Sequence, residues 1–296
     1  MMSFEKYKEL LKLNISILVI VTCYIGYYLG LRSLPGNKMM TDFESWYIFM
    51  ILIFGTFLSS SGASIMNQYI ERKYDSLMDR TKKRPLPNND ITPQRAFLIG
   101  SFLCVLGPML LGFLINILTG FISFLTIFFY LFIYTPSKRL TSLNTIIGSV
   151  PGALPPVGGW AAATGVVDYQ SIMLFGVLFC WQIPHFLSLA IIYKDDYKKA
   201  GFKMLPSVTE NTNLISFQIL FFTMALLYTS IGIYVINITS YVYVIGAILL
   251  GIIFLFYSSQ ILFDYSEKTI RKIFIFSIIY LPILLIMILL DSYFLN

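Results

Sequence analysis

The chain has 296 residues, 57% of them hydrophobic and 12% charged, with a net charge of +6 and a mean hydropathy of +0.77. A soluble domain carries about 25% charged residues, so these values exclude a soluble globular domain, a disordered chain and a disulfide scaffold. They leave a polytopic helical membrane protein, in which the basic excess between apolar runs marks orientation in the bilayer and not nucleic-acid binding.

Apolar runs fall at 14–33, 46–66, 96–116, 118–135, 142–163, 170–192, 214–236, 240–262 and 272–292. At about 20 residues per crossing, these are nine candidate transmembrane helices. Each run is apolar all round, as a lipid-spanning helix is; a strand barrel would alternate. The start, Met1-Met2-Ser3-Phe4-Glu5-Lys6, is short and holds an acid, unlike an Arg-rich transit peptide, and 15–31 reads as a retained first span. With the N-terminus in the cytoplasm, nineteen of the twenty-one Lys and Arg fall on the inside, and only Arg32 and Lys38 fall outside. Nine spans then put the C-terminus outside. The expected architecture is therefore all-α, one integral membrane domain over 1–296, in a bacterial inner membrane. Its two large cytoplasmic loops, about 67–95 and 193–213, are the expected site of function. Cys23, Cys104 and Cys180 lie far apart in apolar runs and read as small buried residues.

Acidic residues are scarce, which makes their placing informative. Asn67, Glu71, Asp75 and Asp79 stand four apart. Four helical residues turn about 400°, so the first three share a stripe, and Asp79 drifts off it or lies past the helix end. Like charges at this spacing destabilise an isolated helix and suit a hard cation such as Mg²⁺, which takes one or two carboxylates plus phosphate oxygens. Arg80, Lys82, Lys83 and Arg84 follow at once and are suited to phosphate oxygens. The same spacing also fits a solvated segment in which Glu71 and Asp75 pair with Arg72, Lys73 and Lys82. The second loop repeats the theme, with Asp195 and Asp196 beside Tyr197 and among four lysines. Two such clusters on one membrane face are placed to close on one ligand. Lys138 and Arg139 end the fourth run, either as ligand contacts or as topology markers. Trp181-Gln-Ile-Pro-His185-Phe lies in the sixth and holds the chain's one histidine, an ionisable residue within a span. Gly148–Gly159 carries glycines and prolines that either let backbones pack closely or break the fifth helix.

These motifs resemble those of the UbiA-type intramembrane prenyltransferases. The resemblance rests on the Asn67-xxx-Glu71-xxx-Asp75 stripe, Arg80-Thr81, Arg84-Pro85 and Tyr134-Thr-Pro-x-Lys138-Arg139. The WQIPHF-type segment, Gly152-Ala-Leu-Pro-Pro156 and Asp196-Tyr197 through Met204-Leu205-Pro206 look like the protohaem IX farnesyltransferase branch. The chain departs from the family pattern in three places: Glu71 stands for an Asp, Lys73 stands for a further Asp, and Leu11-Lys12-Leu13-Asn14 keeps only the lysine of a Thr-Lys-Pro-Arg-like run.

The resemblance implies a UbiA-like bundle that transfers farnesyl from farnesyl diphosphate to a vinyl group of haem b, with water then supplying a hydroxyl. It implies Mg²⁺ held by Asn67, Glu71, Asp75 and Asp196, with Asp79 and Asp195 as neighbouring acidic ligands. Arg80, Lys82, Arg84, Lys138 and Arg139 would hold the diphosphate, and Trp181, His185 and Tyr197 the haem. A haem A synthase or an oxidase assembly factor would be a partner for the product. Two other readings stay open on sequence: a related enzyme acting on an aromatic acid or quinone precursor, and a non-catalytic membrane binding protein or transporter.

Overall fold

The computed structural model describes residues 4–35 and 40–294. Met1, Met2, Ser3 and the expected outer charge Lys38 lie outside the described residues. All regular structure among the described residues is helical. Eight helical stretches are long and apolar enough to cross a membrane: Leu13–Ser33, Phe43–Asp75, Pro93–Leu114, Ile117–Leu140, Tyr169–Ile192, Thr212–Val235, Tyr241–Leu262 and Glu267–Asp291.

The helices are numbered in chain order. A short α1 (Phe4–Leu11) leads into α2 (Leu13–Ser33), and α3 (Phe43–Asp75) and α4 (Pro93–Leu114) form an antiparallel pair. At 1.5 Å per residue the 33 residues of α3 extend about 50 Å. That exceeds a hydrocarbon core of about 30 Å, so its last turns project beyond the apolar layer. The segment expected as loop from 67 thus begins as rigid helix, and it ends in turns after Asp75 where Thr81 Oγ1 caps the Asp75 carbonyl at 2.8 Å.

The fourth span is α5 (Ile117–Phe128), a π-helical segment Phe129–Tyr134, and α6 (Thr135–Leu140). Residues four apart drift by about 40° per step in an α-helix. The wider π turn offsets that drift and keeps Tyr130, Tyr134 and Lys138 along one wall of the central cavity. Where one fifth span was expected, two ten-residue helices stand instead, α7 (Asn144–Ala153) and α8 (Pro155–Thr164). Pro151, Pro155 and Pro156 have no N–H to donate, so the ladder is interrupted around Leu154. The same stretch also packs closely. A Cβ on Gly159 would lie 1.8 Å from the Cys23 carbonyl oxygen, and one on Gly26 would lie 1.9 Å from that of Pro156. Both readings of the Gly- and Pro-rich stretch therefore hold at once.

The remaining elements are α9 (Tyr169–Ile192), the short α10 (Lys194–Lys199) and α11 (Leu205–Val208), then α12 (Thr212–Val235), α13 (Tyr241–Ser259) and α14 (Glu267–Phe294). Helices α9, α12, α13 and α14 share the largest buried apolar cluster, built around Trp181, Ile219, Phe254 and Tyr280. Asp168 starts α9 with a capping box, and Asp291 of α14 caps α13 through the amide of Tyr243 at 3.1 Å.

Candidate active site

A cavity of about 380 Å³ runs through the half of the bundle formed by α2–α9. Its wall along α3 extends from Asp75 down to Leu52, about 35 Å by helical rise. The lower part is lined by Val19, Cys23, Leu52, Leu111 and Ile122. The charged end is built from three helix ends and two loops.

Glu71 and Asp75 are buried there, and each meets a cation from elsewhere in the chain. Lys138 Nζ donates to Glu71 Oε1 at 2.9 Å and to Oε2 at 3.1 Å. Arg84 Nη1 donates to both Asp75 oxygens, at 3.0 and 2.9 Å. The intrahelical pairing expected as an alternative does not form at Glu71: Arg72 and Lys73 are one and two residues on, so they point about 100° and 200° away. Arg72 instead stacks over Tyr69, 4.5 Å from its centroid.

Lys12 completes the group, and sequence reasoning gave it no role. It sits between α1 and α2 with φ 47° and ψ 52°. This left-handed conformation costs a non-glycine residue about 1–2 kcal/mol and marks sites where structure holds a strained residue for use. Its Nζ donates to Asn67 Oδ1 at 2.9 Å, and Asn67 Nδ2 donates to Thr135 Oγ1 at 3.2 Å. Burial, reinforced by the Arg84 and Lys138 charges, pulls the Lys12 ammonium down to about 7. The available signal was that Lys12 is the one position kept from the Thr-Lys-Pro-Arg-like run ahead of the first span.

The two loops close over this group. Met78 packs with Ala200, Phe202 and Met204. Lys199 Nζ reaches Asp79 at 3.2 Å, and the Arg80 amide reaches Asp196 Oδ2 at 3.4 Å. Lys203 N donates to the Lys138 carbonyl at 2.6 Å, and Asn144 Nδ2 holds the Lys203 carbonyl at 2.7 Å. The hydrogen bonds from Lys82 and Lys199 keep the exposed Asp79 carboxyl below the usual range.

Of the expected site residues, Asn67, Glu71, Asp75, Arg80, Arg84, Lys138 and Tyr197 line the cavity. Asp196 stands at its mouth beside Arg80. Asp79, Lys82 and Asp195 are exposed on the outer side of the loops. Arg139 is turned to the Tyr74 hydroxyl at 2.6 Å. Trp181 and His185 do not line the cavity but face α14. The imidazole is stacked between Trp181 and Phe274, at 5.0 Å from each ring, with Nδ1 2.8 Å from Ser277 Oγ. Two carboxylates thus face four basic side chains, Lys12, Arg80, Arg84 and Lys138, over a largely apolar shaft. That surplus of positive charge suits a polyanionic head with a hydrocarbon tail.

No cluster of three or more His, Cys, Asp or Glu converges as a metal site among the described residues. A site completed by substrate needs fewer. Mg²⁺ takes one or two carboxylates and fills its sphere with water and phosphate oxygens, and Glu71 and Asp75, with Asn67 beside them, fit that donor set.

The UbiA prenyltransferase family model matches residues 19–281. The chain belongs to the UbiA prenyltransferase family. Among its UbiA relatives, the protoheme IX farnesyltransferase of Solibacter usitatus (strain Ellin6076) is 37% identical over 287 residues, covering 96% of this chain and 98% of that one. The protoheme IX farnesyltransferase of Opitutus terrae is 36% identical over 293 residues, covering 99% and 96%. Solved UbiA-type structures share the fold. A digeranylgeranylglyceryl phosphate synthase matches with TM-score 0.80 at 18% identity, over 97% of this chain and 98% of that one. A UbiA homologue from Archaeoglobus fulgidus bound to DMAPP and Mg²⁺ matches with TM-score 0.66 at 16% identity, over 98% and 100%.

Proposed function

We propose that this UbiA-family enzyme transfers the farnesyl group of farnesyl diphosphate to a vinyl group of haem b. The observation that carries this reading is the charged head of the cavity, two buried carboxylates facing four basic side chains above a largely apolar shaft. The near full-length likeness to protoheme IX farnesyltransferases supports haem as the acceptor.

Arg84 and Lys138 each hold both oxygens of a carboxylate through one nitrogen, and a diphosphate offers them a stronger anionic partner. Moving to it, they free Asp75 and Glu71, which with Asn67 would hold Mg²⁺. When bound, this ion supplies positive charge against the charge growing on the leaving diphosphate. Lys12 and Arg80 bind the remaining phosphate oxygens. The bond between C1 and oxygen then breaks, and its electron pair goes to the diphosphate. The Tyr130 and Tyr134 rings, directly below Lys138, stabilise the allylic cation through their π faces. The vinyl π pair adds to C1. Tyr197, beside Arg80 at the mouth, borders the haem, whereas Trp181 and His185 are hydrogen-bonded to Ser277 of α14, turned from the cavity, and have no part in holding it. The charge asymmetry of the loops supports a cytoplasmic charged end in a bacterial inner membrane.

Expression in a membrane that cannot make farnesylated haem, followed by mass analysis of extracted haem, tests the reading. Wild type yields the farnesylated product. Asp75→Asn, still inserted, loses about 10²–10³ in turnover, the worth of one charge-stabilising group. Near-normal turnover of that variant removes Asp75 from the ionisation step.

A further inference from the structure

Addition of an allylic cation to a vinyl group moves the positive charge to the vinyl carbon beside the macrocycle. That cation has two exits: loss of a proton to leave an alkene, or capture of water to leave an alcohol. The outcome depends on whether a water stands in place when the charge arrives.

Gln182 of α9 lines the cavity and is buried. Its Nε2 donates to the carbonyls of Leu178 at 3.0 Å and Ser149 at 3.4 Å. Two carbonyls around the nitrogen settle the orientation of the amide, since an oxygen there would face two acceptors. Oε1 is therefore the remaining atom, and it has no hydrogen-bond partner among the described residues. It lies over Gly152 of α7, where a Cβ would stand 1.9 Å from it. Only glycine leaves room for this acceptor, so the Gly152 and Gln182 motifs serve one position. The facing wall is rich in hydroxyls, with Thr56, Ser59, Ser60, Ser64, Ser123 and Thr126 on the cavity. A cavity holds water when it offers room and two to four polar partners.

We propose that Gln182 orients the water that captures the haem-side cation, by accepting a hydrogen bond from it at Oε1. This rests on haem being the acceptor. Gly152 lies eight residues into α7 from Asn144, which is tied to the Lys203–Lys138 level, so Oε1 sits about 12 Å below the ionic head. A diphosphate, the vinyl carbons and one hydrogen bond fill that depth end to end. The water lone pair forms the new C–O bond, and the water gives up one proton, which leaves the site as the counterpart of the departing diphosphate. Farnesyl diphosphate, haem vinyl and water thus become the hydroxylated adduct, diphosphate and a proton, and no redox partner is needed.

The test is product partition in membranes supplied with haem b, farnesyl diphosphate and heavy-oxygen water. Wild type incorporates the heavy oxygen. Gln182→Met, of similar volume, shifts the ratio of alcohol to alkene (lighter by one water) by about tenfold, the worth of one hydrogen bond. Gln182→Glu keeps an acceptor and restores part of the ratio. Gly152→Ala, which displaces the amide without removing it, shifts the ratio in the same direction. An unchanged ratio in Gln182→Met overturns the proposal. So does parallel loss of both products together with binding of farnesyl diphosphate, which would make Gln182 a packing residue. A wild-type product without heavy oxygen overturns it while leaving haem farnesylation intact. No farnesylated haem from wild type removes the acceptor reading itself, so the two failures are told apart.

Discussion

Lys12 illustrates how a single residue enters a site from an unfavourable backbone position. Its left-handed φ turns the chain between α1 and α2, and its ammonium reaches Asn67 at 2.9 Å in the buried head group. Without a cation there, the diphosphate loses one charge-assisted contact. Lys12→Met should raise KM for farnesyl diphosphate about tenfold with little change in kcat for bound substrate, in line with a hydrogen bond to a charged group. Steady-state kinetics on purified protein distinguish this from a general loss of activity. Glu71 and Asp75 show the complementary case: buried carboxylates persist because Lys138 and Arg84 hold both oxygens of each, and an unpaired charge at that depth is strongly destabilising.

Among elements, the contact of α2 with α8 depends on glycine. The Gly159 Cα approaches the Cys23 carbonyl so closely that any Cβ must move backbone. Gly159→Ala should therefore destabilise the bundle by about 1–3 kcal/mol, the usual cost of overpacking, read as a lower midpoint of thermal unfolding in detergent. The two loops are joined more loosely. The Asp79 carboxyl, lowered by its bonds from Lys82 and Lys199, favours the closed arrangement above its ordinary pKa of about 3.9, and this is lost as pH falls through the lower folded value. Lys199, raised by Asp79, favours it below about 10.4 and loses it as pH rises through its folded value. Amide protection of residues 194–199, corrected for intrinsic exchange, should be flat between about pH 5 and 9 and fall below about pH 4 towards that of Asp79→Asn at neutral pH.

For the whole molecule, the cavity couples a charged mouth to a long shaft. Extended isoprene units occupy about 5 Å each from ordinary bond lengths, so a farnesyl tail needs about 15 Å of a wall that continues about 35 Å along α3. Ser60, eleven residues from Glu71 on that helix, lines the cavity at the depth of the last unit. Ser60→Phe should lower kcat/KM for farnesyl relative to geranyl diphosphate by about tenfold, within the range hydrophobic pockets achieve. Competition between the two diphosphates, followed by product mass, measures it; an unchanged ratio would place the tail elsewhere.

The spans and the stripe were legible because both follow local rules. A segment in lipid must satisfy its own backbone and carry an apolar surface all round, so α2, α3, α4, α9, α12, α13 and α14 stand near the apolar runs that announced them. The 3.6-residue repeat alone puts Asn67, Glu71 and Asp75 on one face. The interruption at Leu154 was half legible: proline signals a missing donor, and only the packing of α8 on α2 shows why glycine surrounds it. Partner choice was not legible. Lys138 is 67 residues from Glu71 and Lys12 is 55 from Asn67, and nothing local distinguishes them from basic residues that merely orient a loop. His185 drew notice as an ionisable group in a span, yet its neighbours on α14 turn it from the cavity, while the neutral Gln182 three residues earlier lines it. Which face of α9 meets α14 and which meets α7 is decided by the mutual packing of whole helices, because an evenly apolar surface carries no local mark of its inner side.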